Sequence, residues 1–323
     1  MILGVRILVE KLYSNLRSST ASVLRANGWL MPAATAASAV ALALAIVFRL
    51  DSVLILNAAA CLAIAAFIWG YSARVYRVQP WPALAHLNRR QYAETWNALA
   101  SSERTARAAV AGKAWEWEIR ESAAKPIRNL VELVSISAQD DVLEIACGIG
   151  RIGLELAPRC RSWTGADISA NMLGYAAQRL QGVGNVRLHQ LDGKGVSGLS
   201  DSSFDVVYCT NTLAHLDELD RWRYVQEAFR VLRSGGRIFI DNMDLASDEG
   251  WAAFDKAAKQ RCEEQPPYAP RFSTAAELME YATRAGFEQV RSHHRQPLVI
   301  VAAVKATLDT PVQRSRYPVT GFA

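Results

Sequence analysis

The apolar positions of this chain are grouped in two ways. Two long runs, 29–48 and 52–73, contain no charged residue and are each about twenty residues long, the length a helix needs to cross roughly 30 Å of hydrocarbon. Arg49, Leu50 and Asp51 alone separate them, so the pattern predicts a tight two-helix transmembrane hairpin whose outer ends emerge on one side. A buried soluble hairpin is the competing reading, because the first run is rich in alanine. Residues 1–28 carry Arg6, Lys11, Arg17 and Arg25 against one acid, Glu10. That is the pattern of an amphipathic or disordered segment, or of a cleaved targeting peptide.

From 79 onward the apolar runs are short and separated by polar helices. Residues 79–124 read as linker helices, with a polar helix over 91–112. Within 125–134, Ile127, Leu130, Val131 and Val134 fall at helix spacing, with Pro126 suited to a first turn. Strands are then expected over 141–147, 163–168, 186–191, 204–210, 237–242 and, as two halves, 288–305. Helices are expected over 170–180 and 216–233. The second shows a stripe of Leu219, Trp222, Val225, Phe229 and Leu232 and a Ser-Gly-Gly stop. Strands alternating with helices imply an α/β fold with a mainly parallel sheet covered on both faces. The last stretch has no helix between its halves and should form an antiparallel hairpin at the sheet edge. This domain occupies 125–306, and 307–323 is a C-terminal tail.

Charge refines the membrane reading. The formal net charge is +5, with no basic block of nucleic-acid-arm density, so no nucleic-acid partner is expected. Arg17 and Arg25 flank one outer end of the hairpin; Arg74, Arg77, Arg89 and Arg90 flank the other. This asymmetry predicts both termini, and the α/β domain, on the cytoplasmic side of a membrane. The lipid bilayer is thus an expected partner, and the hairpin offers a route to oligomers. The five cysteines, Cys61, Cys147, Cys160, Cys209 and Cys262, form no C-x-x-C pair and no zinc spacing with histidine, so no metal is expected.

Candidate chemistry begins at Val142-Leu143-Glu144-Ile145-Ala146-Cys147-Gly148-Ile149-Gly150, where a strand runs into a glycine turn and then a helix. Ligands of doubly wound sheets sit at the carboxyl ends of strands, and glycine lets backbone approach them closely. Gly148, Gly150 and Gly153 spell the dinucleotide hexamer G-x-G-x-x-G. Glu144 argues against that ligand, because its carboxylate would repel a pyrophosphate and suit a cation. The stretch resembles motif I of the class I S-adenosylmethionine-dependent methyltransferases, with Ala146 in place of the family's first glycine. Asp167, in Thr-Gly-Ala-Asp-Ile, resembles the family's acceptor for the two ribose hydroxyls, and Ile168 and Met172 would pack on the adenine. Asp192, with Gly193, resembles the acceptor for the adenine amino group. Asn211 and His215 follow the fourth strand, where the family places cofactor- and substrate-facing residues.

The resemblance spans 125–305 and implies a Rossmann-like seven-stranded methyltransferase sheet with S-adenosyl-L-methionine as cofactor. It implies cofactor binding by Glu144, Ala146, Gly148, Gly150, Asp167, Ile168, Met172, Asp192, Gly193 and Asn211. His215 is either a general base toward a hydroxyl acceptor, a pocket wall or a donor to a backbone carbonyl. The long connection 244–272 carries Trp251, Phe254 and Tyr268, and is either a lid over an apolar acceptor or a helix packed on the domain. Trp96, Trp115 and Trp117 are core, membrane-facing or cofactor-covering residues. The expected function is a membrane-anchored methyltransferase with a lipid or small-molecule acceptor. A non-catalytic cofactor-binding scaffold, and a small-molecule enzyme whose hairpin mediates oligomerisation, are the alternatives.

Overall fold

The computed structural model describes residues 87–113, 115–260 and 265–307. The N-terminal segment and the hairpin expected over 1–28 and 29–73 lie outside these residues, as does the tail beyond 307. Among the described residues no helix is long and apolar enough to cross a membrane.

Three helices lead into the sheet: α1 (Tyr92–Leu99), α2 (Glu103–Ala111) and α3 (Glu116–Val134). The single polar helix expected over 91–112 is two, because Ser102 makes a capping box with Thr105 and restarts the helix there. Gly112, at φ 63°, closes α2 in a left-handed turn. Pro126 also departs from expectation. It lies inside α3 and not in a first turn. A proline there leaves the carbonyl of residue i−4 without its helical donor, and that carbonyl, Ser122, accepts from Arg151 Nη1 at 3.0 Å instead.

The sheet then alternates with helices: β1 (Asp141–Ile145), α4 (Arg151–Leu156), β2 (Ser162–Asp167), α5 (Ala170–Arg179), β3 (Val186–Gln190), β4 (Phe204–Cys209), α6 (Glu218–Val231) and β5 (Leu232–Met243). After α7 (Asp248–Ala258) and α8 (Ala275–Ala285), β6 (Phe287–Arg295) and β7 (Leu298–Lys305) form the final hairpin. The seven strands are ordered β3-β2-β1-β4-β5-β7-β6. All pairs from β3 to β5 are parallel, while β7 runs antiparallel to both β5 and β6. The expected edge hairpin is present, and the strand order reverses between β1 and β4, the place where open α/β sheets bind ligands.

Alternation along each strand divides the core. Leu143, Ile145, Val207, Ile238 and Val301 pack with Val225, Ala228 and Leu278 of α6 and α8. Val142, Trp163, Val206, Tyr208 and Phe239 pack on the other face with Ile127, Leu130, Ile152 and Ala176 of α3, α4 and α5. The buried face of α6 is Arg221, Tyr224, Val225, Ala228 and Val231. The expected stripe is out of phase at its start, where Leu219 is exposed, because Arg221 turns inward to bind the carbonyls of Leu213 and Leu216. The Ser-Gly-Gly expected to stop α6 belongs to β5. It lies where the β4–β5 register jumps between the Phe204–Leu232 and Val206–Arg237 pairs, so the helix passes directly into a bulged strand.

Candidate active site

A cleft opens at the carboxyl ends of β1, β2, β3 and β4. Its floor is the turn after β1. Ala146, Gly148 and Gly150 all take left-handed conformations, with φ of 58°, 54° and 72°. An added Cβ on Gly148 would come within 2.9 Å of Val110, so glycine is what lets α2 lie directly on the turn. Gly153 serves packing: a Cβ there would stand 2.4 Å from the Trp163 indole. Gly148 borders the cleft, whereas Gly150 stands behind it as the N-cap of α4.

Glu144 is buried at the strand end and faces the cleft. A chain of buried hydrogen bonds fixes it. Trp163 Nε1 donates to the Tyr208 hydroxyl at 3.0 Å, and that hydroxyl donates to Glu144 Oε2 at 2.6 Å. Burial pushes the Glu144 carboxyl up to about 8; the Tyr208 bond and the Arg151 charge pull the other way, and Asp167 adds to the rise. Asp167 is buried at the end of β2. Its Oδ2 accepts from Gly148 N and its Oδ1 from Ser169 N, each at 2.8 Å. Burial raises it to about 6 against these donors. Each carboxylate oxygen has two lone pairs, so one remains on each for a pair of vicinal hydroxyls.

Ile168 and Met172 line the cleft beside Asp167, together with Leu191. Asp192 and Gly193 do not join them. Asp192 is exposed, and its Oδ1 accepts from Lys194 N at 2.8 Å, which holds its carboxyl below the usual range. The reason is local: an Asp-Gly step closes its own turn more readily than it reaches across a cleft. Asn211 lines the cleft at φ 55°, with its backbone N–H donating to Asp241 Oδ1 at 2.6 Å.

Several lining residues carried no expectation from sequence. Arg151, the first residue of α4, is buried, borders the cleft and lies in the fields of Glu144 and Asp241. A cation at a helix N-terminus opposes the macrodipole, and that mismatch was a readable sign of a specific task. Asp241 on β5 is buried too, and burial raises it to about 7. The helices expected as a linker form the cover: Tyr92 and Trp96 of α1 and Ala109 and Val110 of α2 border the cleft. Asn97 seats α1, its Oδ1 accepting from Ser169 Oγ at 2.8 Å and Asn171 N at 3.2 Å.

His215 occupies the far wall, in a short 3₁₀ turn (Leu213–His215) after β4. Its Nδ1 lies 2.9 Å from the carbonyl oxygen of Tyr268. Since a carbonyl only accepts, Nδ1 carries the proton and Nε2 is left with its lone pair. Burial pushes the imidazole down to about 4, so the ring is neutral near pH 7. Trp96 meets it edge-on, with ring centroids 4.9 Å apart. Of the other aromatics, Trp251 and Phe254 stand exposed on α7, and Trp115 and Trp117 are exposed at the start of α3. Among the described residues no cluster of three or more histidine, cysteine or acidic side chains has the arrangement of a metal site.

The site joins carboxylates that suit cationic and hydroxyl groups, one guanidinium that suits a carboxylate, and an apolar wall. An amino-acid-bearing nucleoside sulfonium has all the complementary parts. Residues 142–236 match a protein family described as methyltransferase domain. The chain is 27% identical over 135 residues to phosphoethanolamine N-methyltransferase 1 of Arabidopsis thaliana, covering 42% of this chain and 27% of that protein. It is also 27% identical over 140 residues to the ubiquinone biosynthesis O-methyltransferase of Pseudomonas fluorescens, covering 41% of this chain and 59% of that one. The chain therefore spans between about a quarter and three fifths of these relatives. The fold is that of magnesium protoporphyrin IX methyltransferase from Synechocystis, solved with bound SAH: TM-score 0.50, 18% identity, 66% of this chain and 97% of that one covered. The seven-stranded domain thus carries, over residues 142–236, a stretch that matches a methyltransferase domain.

Proposed function

We propose that this chain is a membrane-anchored methyltransferase that methylates a hydroxyl group on a lipid or other membrane-associated acceptor, with the catalytic domain on the cytoplasmic side. The observation that carries the chemical part is His215, held neutral with its Nε2 lone pair available, in the apolar wall of the same cleft as Glu144 and Asp167. S-adenosylmethionine supplies an electrophilic methyl group on a sulfonium when bound. The chain's own residues bind and orient. Asp167 accepts from the ribose hydroxyls, Glu144 offsets the ammonium, Arg151 takes the carboxylate, and Ile168, Met172 and Leu191 pack on the adenine.

His215 Nε2 takes the proton of an acceptor hydroxyl as the oxygen attacks. An amine acceptor would not need that lone pair, so the tautomer favours oxygen. Trp96, Tyr92 and Leu216 supply apolar wall for a hydrophobic acceptor. The membrane part rests on the two uncharged runs 29–48 and 52–73 and the arginines outside them. Tethering at a bilayer would raise the local concentration of a lipid acceptor without any new contact. Similarity to enzymes named for ubiquinone biosynthesis and for phosphoethanolamine supports an acceptor of lipid or lipid-headgroup character.

The test is incubation of the full chain with methyl-labelled S-adenosylmethionine and a membrane extract, followed by chromatography. Label is expected in an organic-soluble product carrying a methyl ether, and the chain is expected to resist carbonate extraction from membranes. Replacing His215 by Asn should lower the transfer rate by roughly 10²–10⁴-fold, the usual scale for a general base, with cofactor affinity little changed. Label confined to water-soluble products, or a His215→Asn variant of normal rate, would refute the respective part.

A further inference from the structure

We infer that Arg89 is a positioning residue for His215: its guanidinium ties the turn that bears the imidazole to the segment that supplies the carbonyl partner of Nδ1. This rests on the reading of His215 as the base. The imidazole owes its tautomer to a single bond, to the Tyr268 carbonyl. Tyr268 lies in 265–272, a stretch with no regular helix and no ladder of its own. One backbone bond, Arg271 N to Ala214 O at 2.6 Å, ties the end of that stretch to the His215 turn, and the Tyr268 carbonyl, three residues earlier, needs a further anchor.

Arg89 does so from both sides. Its Nη1 donates to Ala269 O at 2.8 Å and to Pro267 O at 3.4 Å, the residues before and after Tyr268. Its Nη2 donates to Ala214 O at 3.3 Å, immediately before His215, and its Nε donates to Asp217 Oδ1 at 2.9 Å, two residues after it. One planar fork therefore touches the chain on both flanks of each member of the His215–Tyr268 pair. The side chain is largely buried while Asp217 is partly so, which favours a fixed geometry over a loose surface pair. Arg221 grips the same turn through Leu213 O and Leu216 O, but it also reaches Ser273 and Glu277 of the core, so its loss would disturb far more. Arg89 does not border the cleft, and its effect is confined to the pair it ties.

A lysine at this position keeps the charge but has a point donor where the arginine has a fork, and cannot span Asp217, Ala214 and Ala269 together. The experiment uses the full chain in detergent with ¹⁵N-labelled histidine. The chain has five histidines, and His215→Asn assigns the signal. In the parent protein His215 should stay in the neutral Nδ1–H form down to about pH 5, since its ordinary titration is pushed to about 4. Arg89 is the charged group whose field acts on the ring; Tyr92 borders the same cleft, Arg271 and Asp217 act on Arg89, and only Arg89 is replaced. Arg89→Lys should give a mixture of tautomers and raise the titration by about one to two pH units as water reaches the ring. Affinity for S-adenosylmethionine, read by calorimetry, should change less than about threefold.

Arg90→Lys is the control. Arg90 pairs with the same Asp217 but reaches no carbonyl of 265–272, and its replacement should leave the His215 signal unmoved. An unaltered His215 signal in Arg89→Lys, or an equal change in Arg90→Lys, overturns the inference. Should Arg89→Lys fail to fold, Asp217→Asn carries the test by loosening the Nε anchor; it should move the signal in the same direction, and no movement overturns the inference. The readout needs no methyl transfer, so a His215 that proves not to be the base would show in the rate of His215→Asn and not here.

Discussion

Glu144 yields a prediction that can be worked through in numbers. The carboxyl is buried, with a folded-state pKa of about 8, against about 4.3 in an unfolded chain. At pH 7 the ligand-free protein therefore holds roughly 0.9 of a proton on Glu144. A ligand bearing an ammonium and a sulfonium favours the ionised form, so binding should expel that proton. Asp167, at about 6, is already largely ionised at pH 7 and adds roughly 0.1. Cofactor binding should thus release close to one proton, and the binding constant should climb by about tenfold per pH unit between pH 6 and 8, about 1.4 kcal/mol for each unit. The assay is calorimetry with S-adenosylmethionine in buffers of different ionisation enthalpy, since the slope of observed heat against buffer heat counts the protons. Glu144→Gln keeps an acceptor for the Tyr208 hydroxyl but has nothing to ionise. It should release less than about 0.2 proton and flatten the pH dependence. A parent protein that releases no proton at pH 7, or a Glu144→Gln variant that releases as many, would refute the placing of the cofactor's positive charge at Glu144. The same carboxyl sets a second sign. The folded state holds its proton from about pH 4.3 to about 8 while the unfolded chain does not, so its contribution makes the cofactor-free protein less stable as pH rises through that window.

Gly153→Ala should cost about 1–3 kcal/mol, because its Cβ would lie 2.4 Å from the Trp163 ring; unchanged denaturant midpoints would show that the α4–β2 contact is looser than described. Pro126→Ala restores an amide that competes with Arg151 for the Ser122 carbonyl. It should stabilise α3 while weakening S-adenosylmethionine binding several-fold; higher stability with unaltered affinity would separate Arg151 from the cofactor.

Sequence periodicity reached the parts of the fold whose physics is local. The strands β1 to β3 were legible because short runs with apolar residues ended in glycine or acid, and the β6–β7 hairpin because no helical spacing intervened. What was not legible depends on distant partners. The phase of α6 was misread because Arg221, a charged residue, occupies a core position by binding the carbonyls of Leu213 and Leu216. Asp192 looked like a cofactor ligand by its place after β3, but it stands exposed outside the cleft lining, its Oδ1 accepting from Lys194 N in its own turn. The roof of the site was legible only at Trp96, for which a cofactor cover was one of three readings. Tyr92, Trp96 and Val110 lie on helices with polar sequences, and their role is set by Asn97 docking on the start of α5 and by the space left over Gly148. No spacing rule within 91–112 contains that information.

Two features that look unfavourable alone account for each other. An arginine as first residue of a short helix faces the positive end of the dipole, and a proline inside a helix strands a carbonyl and costs about 3 kcal/mol in an ordinary setting. Here the stranded carbonyl is Ser122, and the donor that meets it is Arg151. The bond holds the guanidinium over the glycine turn, where it faces Glu144 and Asp241 across the cleft end and leaves other donors for a ligand. Neither residue serves local stability, so their joint presence requires a return elsewhere, and the binding of an anionic group beside a cationic one is the return that this geometry can give. A free amino acid moiety carries that pair of charges, which is why the α3–α4 junction, and not the glycines alone, distinguishes this cleft from one built for a dinucleotide.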